Sequence, residues 1–172
     1  VVGRLTGLTT ARDIAIGGTY AYIAGYTANK VYVVDIARPD HPRLATTLTI
    51  ANTPSAVAVR GSYLYVASWD TGALRVVDIS SPLSPVVVGL ITGVGVANPT
   101  RLVVNGRNVY KAGWSGVSIY NVNDPTAPVL LGGAAGLTDL VWDIAAGGGY
   151  VAAADSAGLR ILDFRNPSSP TT

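Results

Sequence analysis

LRVVDISSPLSP (residues 74–85) is a short apolar strand that stops on an aspartate and runs into a Pro-x-x-Pro turn, and the chain writes it four times. The other copies are KVYVVDIARPDHP (30–42), VSIYNVNDPTAP (117–128) and LRILDFRNPSSP (159–170). Their last prolines, Pro42, Pro85, Pro128 and Pro170, lie 43, 43 and 42 residues apart. A period in the forties marks a propeller or a solenoid, in which each unit buries its apolar faces only by packing on its neighbours.

Outward from these segments, each unit reads as four strands, a to d from the inside out. Strand a covers 13–16, 56–59, 101–104 and 143–146, and strand b covers 20–25, 63–68, 108–113 and 150–155. Between them stand Gly17-Gly18, Arg60-Gly61, Asn105-Gly106 and Gly147-Gly148-Gly149. Such pairs supply the positive φ that a two-residue hairpin turn demands. Strand c ends on Asp35, Asp78, Asn121 or Asp163, whose side chains are expected to accept hydrogen bonds from the turn that follows. Proline cannot donate to a ladder, so the Pro-x-x-Pro turn stops strand c and launches the edge strand d at 43–48, 86–91 and 129–132.

Composition agrees. Among 172 residues there is no Glu, Gln or Met, so most straight-chain helix formers are missing, while Val, Ile, Thr and Tyr are plentiful. The class is all-β, one domain with repeat units at about 11–50, 54–92, 99–133 and 141–172 plus 1–5. The net charge is +2 and the basic residues form no run, which speaks against nucleic acid as a partner. Absence of cysteine excludes a disulfide framework and a thiolate metal site. The longest apolar stretch, VVVGLITGVGVA (86–97), is too short and glycine-rich to span a bilayer. The chain opens Val-Val without an initiator Met or a signal-peptide pattern, the expectation for a segment excised from something longer.

VYVVDI (31–36), LRVVDI (74–79), VSIYNV (117–122) and LRILDF (159–164) resemble the LVIVD-repeat family of bacterial and archaeal proteins. The resemblance covers essentially the whole chain; it implies a β-propeller of four-stranded antiparallel blades at a cell surface or in the extracellular space, and no assigned activity. The third unit departs from the pattern, with Asn121 for the terminal Asp and a b–c loop two residues shorter. The fourth unit runs out at Pro170-Thr171-Thr172 without its strand d, while the first residues, VVGRLTGL, look like the VVVGLITG that follows the second unit's proline. Residues 1–5 are therefore expected to complete the blade formed by 159–172, in cis or in trans. Three closures follow: a four-bladed ring from one chain, an eight-bladed ring from two, or a fibre. Small strand residues with a single Phe fill a narrow wedge better than a wide one, which favours the two-chain ring.

In propeller geometry the d–a and b–c loops share a face. That face collects Tyr26, Trp69, Asp70, Trp114 and Asp155 from b–c loops, and Arg12, Asp13, Arg101, Trp142 and Asp143 from the d–a side. Aromatic planes beside carboxylates and guanidinium groups suit a glycan or a protein ligand. The competing reading makes the three tryptophans covers for the blade tops. A serine triad needs a histidine, and His41 sits between prolines on the opposite face. Asp13 and Asp143 near the channel are the residues a propeller hydrolase or lyase would use, although Asp13 next to Arg12 also reads as a simple ion pair. The DTGA (70–73) and DSAG (155–158) loops offer too few oxygens for a calcium site, and no cofactor is implied.

Overall fold

The computed structural model describes residues 1–171, with positions 115, 135, 136, 138 and 139 described by their backbone alone. Thr172, the last residue of the expected split blade, lies outside the described residues. Fourteen strands follow one another: β1 (Ala11–Gly17), β2 (Tyr20–Gly25), β3 (Lys30–Asp35), β4 (Arg43–Thr49), β5 (Pro54–Arg60), β6 (Tyr63–Ser68), β7 (Leu74–Asp78), β8 (Val86–Ile91), β9 (Ala97–Asn105), β10 (Asn108–Asn121), β11 (Val129–Leu140), β12 (Asp143–Gly147), β13 (Tyr150–Asp155) and β14 (Gly158–Asp163). They form four antiparallel sheets in the orders β1-β2-β3-β4, β5-β6-β7-β8, β9-β10-β11 and β12-β13-β14. The strands expected within the four units are all present: 20–25, 63–68, 86–91 and 150–155 have the bounds read from the sequence, and the inner strands run up to five residues longer. Residues 1–5, expected as an outer strand, take no strand structure here, because the fourth sheet offers them no ladder; Gly3 lies instead against the first unit's Pro39 turn.

The third sheet holds three strands because its b and c segments run on as one 14-residue strand. Extended, β10 would be about 46 Å long. Yet Val122 N, just past its end, donates to Arg107 O, just before its start, at 2.9 Å. The strand therefore doubles back on itself. The same closing bond joins Ile36 to Thr19, Ile79 to Ser62 and Phe164 to Gly149 in the other sheets.

Each terminal polar residue of strand c does what its position suggests. Asp35 accepts from Ala37 N at 2.9 Å, Asp78 from Ser80 N at 2.8 Å, Asn121 from Asn123 N at 2.9 Å and Asp163 from Arg165 N at 2.9 Å. Past the turn, the outer strand carries a bulge at the same place in three sheets, where the pairing slips between Val33 and Val34, Val76 and Val77, and Ile119 and Tyr120. One extra residue there bends the edge strand.

The core lies between the sheets. Tyr22, Val31 and Val33 pack on Leu64, Val66 and Val77; Tyr65, Leu74 and Val76 on Leu102, Val109 and Tyr120; Tyr110 and Ile119 on Val151, Leu162 and Phe164. The innermost strands meet in sequence, β1 on β5, β5 on β9 and β9 on β12, and β12 does not pack along β1 in the same way. The stack is thus an arc with two end faces. One exposes Ile14 and Ile16 and the other Leu159 and Ile161, each more than half exposed.

Glycine in the outer strand is demanded by the next unit's turn. A Cβ on Gly89 would sit 2.1 Å from Pro125 O, and one on Gly132 would sit 1.9 Å from Pro167 O. Gly3 stands in the same relation to the first unit's turn, 2.1 Å from Pro39 O. A backbone carbonyl cannot swing aside as a side chain does. Gly89→Ala and Gly132→Ala are each expected to lower stability by about 1–3 kcal/mol in urea denaturation, whereas Gly147→Ala, with open space around it, should change it by no more than about 0.5 kcal/mol. Equal effects at the three positions would refute the account of the turn contact.

Candidate functional site

The loops of one end are stitched in pairs. Tyr26 N donates to Thr10 O at 2.9 Å, Trp69 N to Thr53 O at 2.8 Å, Val141 N to Gly113 O at 3.3 Å and Trp142 N to Ala154 O at 2.8 Å. In the first, second and fourth units the segment entering the inner strand and the end of the second strand therefore lie side by side; the third unit does this by pairing Trp114 with Ala97, while Gly113 reaches the entry of the fourth.

The ten residues singled out in the sequence fall into three groups there. Arg12 lays its guanidinium over two rings, 4.5 Å from the Tyr26 centroid and 4.1 Å from that of Trp69, and the rings meet edge to face at 6.0 Å. Arg12 is thus a stacking group, and its expected ion pair with Asp13 is replaced by another. The Asp13 carboxylate accepts from Val57 N and Ile14 N at 2.9 Å each and from Arg101 Nη1 at 3.2 Å. Arg101 Nε lies 3.1 Å from Asp143 Oδ1, close enough for an ion pair but without hydrogen-bond alignment. This second group ties the first, second, third and fourth units together near the axis.

The remaining residues stand apart. Asp155 is buried, accepting from Arg160 Nε at 2.7 Å and from Ala157 N at 2.9 Å. Asp70 accepts from the Thr53 hydroxyl. With their carboxylates so engaged, the DTGA and DSAG loops serve as turns. Trp69 is half-buried beneath Arg12, while Trp114 and Trp142 are more than half exposed. Among the described residues no three His, Asp or Glu side chains converge as metal ligands, and no helix is long and apolar enough to cross a membrane.

A cleft of about 650 Å³ opens beside Trp114, lined also by Gly95, Val96, Asn98, Ser118 and Ala134. Its rim is held by Ser118 Oγ, which accepts from Val96 N at 2.7 Å, and by Tyr120, whose hydroxyl donates to Val94 O at 3.1 Å. Close by lies Lys111, fully buried, its ammonium donating to Gly72 O and standing 5.1 Å from the Tyr120 ring centroid. Burial pushes the Lys111 amine down to about 8 and the Tyr120 hydroxyl up to about 12. The sequence reading passed over Lys111. Its signal was there: the matching position in strand b holds Ile23, Val66 or Ala153, so a cation interrupts an apolar register.

The repeat model that describes this pattern is the LVIVD repeat, matched at residues 9–49, 54–92 and 140–172. The chain belongs to the LVIVD repeat family. The third unit, with its doubled-back β10, is the stretch the repeat model leaves out. No curated protein matches the chain in sequence. Among solved structures, it superposes on a Bacteroides fragilis putative 6-phosphogluconolactonase with TM-score 0.78 at 12% identity, covering 94% of this chain and 52% of that one. The Pseudomonas aeruginosa periplasmic gluconolactonase gives TM-score 0.77 at 14% identity, with 94% and 53% covered. The computationally designed Ika4 protein gives 0.74 at 13% identity, with 94% and 96% covered. This LVIVD-repeat chain thus spans about half the length of the two gluconolactonases and nearly all of the designed protein. At these identities the likeness establishes the propeller-like fold alone.

Burial raises the Asp13 carboxyl above its ordinary 3.8, against the hydrogen bonds from Val57 and Ile14 and the Arg101 charge, with the Asp143 charge adding to the rise. The native state then holds this proton more tightly than the unfolded chain does. The stability it contributes is complete below the unfolded value of 3.8 and is lost as pH rises through the folded one. Asp13→Asn should remove that slope, so that the difference in melting temperature between wild type and variant varies with pH from 3.8 upward. A constant difference would refute the assignment.

Proposed function

We propose that the chain is a non-catalytic, secreted or cell-surface propeller module that acts through self-assembly and by holding a protein or glycan on its aromatic loop face. The observation that carries the reading is the pair of open end faces. Every internal face between sheets is buried, while Ile14 and Ile16 at one end and Leu159 and Ile161 at the other stay in water. Removing about 25 cal/mol per Å² of apolar surface from water favours closing the two ends on each other.

In the 172-residue chain, residues 1–5 of one copy serve as the outer strand of the sheet that 159–172 leave unfinished. The Gly3 contact with Pro39 supports this, since Gly89 and Gly132 make the same contact from true outer strands. By the register of the other sheets, Gly3 falls opposite Ile161 and Leu5 opposite Leu159, as Gly89 does with Val76 and Ile91 with Leu74. An arc whose last inner strand, β12, does not pack along β1 favours two copies in an eight-bladed ring, although the tyrosines between the sheets are bulkier filler than the sequence reading assumed. Trp114 and Trp142, exposed on one face, are the platforms for the ligand.

Asp13 is the observation that favours catalysis, a buried carboxyl near a second carboxylate at the axis. Two of the structural neighbours carry gluconolactonase names. Arg101 lies within ion-pair distance of both carboxylates, which suits a structural clamp better than a general acid with a free partner.

Light scattering across a dilution series should give twice the 17.6 kDa chain mass, falling to one chain when residues 1–5 are removed. A stable single-chain mass for the intact protein would refute self-assembly. Trp114→Ala with Trp142→Ala should leave that mass unchanged and abolish binding on a glycan array. Turnover of a sugar lactone that disappears in Asp13→Asn at unchanged stability would replace the binding reading with the hydrolase one.

A further inference from the structure

On the opposite end, where the Pro-x-x-Pro turns and a–b hairpins emerge, a cleft of about 780 Å³ lies between the second and third sheets. Its lining includes Arg60, Tyr63, Tyr65, Asp78, Arg107 and Asn123. Arg60 reaches across the gap and donates through Nη1 to Gly106 O, in the hairpin turn that carries Arg107. The Arg60 guanidinium therefore sits at the turn that carries Arg107, which also lines the cleft. Among the described residues the Arg107 side chain has no hydrogen-bond or ion-pair partner, and the residue is exposed.

Tyr65 supplies the second observation. It is only 2% exposed, it lines the cleft, and among the described residues its hydroxyl has no hydrogen-bond partner. Burial raises that hydroxyl above its usual 10.0 while the Arg60 charge pulls it back. The ring is buried but the hydroxyl opens onto the cleft, where it is free to donate to whatever enters. Asp78 completes the set with one carboxylate oxygen, Oδ1, engaged by Ser80 N. The other gaps lack this chemistry, since the positions matching Arg60 are Gly17, Asn105 and Gly147 and those matching Arg107 are Thr19, Ser62 and Gly149.

We infer that this cleft is a second binding site, for an oxyanion-bearing sugar of about monosaccharide size. The oxyanion meets Arg60, Arg107 and the Tyr65 hydroxyl, all donors, and the sugar hydroxyls donate to Asp78. Guanidinium groups pair with carboxylate and phosphate alike, so either anion satisfies the geometry. A cleft of this size lies within the usual range for small-ligand sites.

Titration calorimetry of the intact chain with glucuronate, glucose 1-phosphate and glucose decides it. Saturable binding of one or both charged sugars at millimolar concentration, with no binding of glucose, is the expected result, and which of the two binds names the anion. Arg107→Ala should weaken that binding about tenfold or more, and Tyr65→Phe should weaken it with circular dichroism unchanged. Trp114→Ala with Trp142→Ala should leave it intact, which separates this site from the loop face. No binding of either anion by folded protein, equal binding of glucose, indifference to Arg107→Ala, or loss in the tryptophan variant would each overturn the inference.

Discussion

Every sheet in this protein is apolar on both sides, and that constraint governs the rest. Val33 faces one way into the first interface while Val34, its neighbour in β3, is also buried on the other side. Leu74 and Val77 in β7 repeat the arrangement toward the third and first sheets. A sheet with two such faces cannot be the surface of anything, so it must be sandwiched. Stacking solves the problem for the inner sheets and moves it to the ends, where Ile14, Ile16, Leu159 and Ile161 remain uncovered. The same physics that makes the stack therefore leaves its two ends with faces suited to one another.

Polar groups in the stack are placed so that side chains, and not water, answer them. Asp13 reaches the backbone of β5 and the guanidinium of Arg101 at once, so one carboxylate joins three sheets at the axis. Cations between sheets are held differently. Arg160 has Asp155, but Arg75 donates to the Ser68 hydroxyl at 2.6 Å and Lys111 to a single carbonyl. Burial lowers both Arg75 and Lys111 from their ordinary values, a cost that the apolar packing around them offsets. Arg75 and Arg160 pair across the strands with Val66 and Ala153, the positions that Lys111 matches in the third sheet, so the three cations stand at corresponding levels of their units.

Legibility followed local chemistry. The strands within the four units, the hairpin turns and the hydrogen-bonding role of Asp35, Asp78, Asn121 and Asp163 are decided by residues within a few positions of each other and could be read from the chain, whereas the strand expected at 1–5 depends on a distant partner and does not form here. The merging of b and c into β10 was less legible, because the shortened loop at 114–116 pairs with Ala97 and Leu140 and so extends the ladder on both sides. The candidate site divided in the same way. That the loops share an end follows from strand alternation, so the tryptophans were found. Which tryptophan is covered depends on Arg12 choosing Tyr26 and Trp69 over Asp13, and which arginine answers Asp13 depends on a contact 88 residues away. No local pattern encodes that distance.

Repetition itself shows where the units differ. Four copies of one unit would carry the same residues at the same places if packing alone were selected, as Ala24, Ala67, Ala112 and Ala154 still do. The gap between the second and third sheets departs from the others, with Lys111 in an apolar register, Arg60 and Arg107 near one turn, and a cleft at the end where those arginines lie. None of these substitutions improves the core: a buried lysine is costlier than the Ile or Val it stands for, and two arginines near one turn repel. Lys111 is answered within the chain by Gly72 O and the Tyr120 ring, whereas Arg60 and Arg107 stand at the surface, where their charges cost the core nothing. The wedge between the second and third sheets is therefore where this chain departs from plain repetition, with a buried cation in its core and two arginines near one exposed hairpin turn.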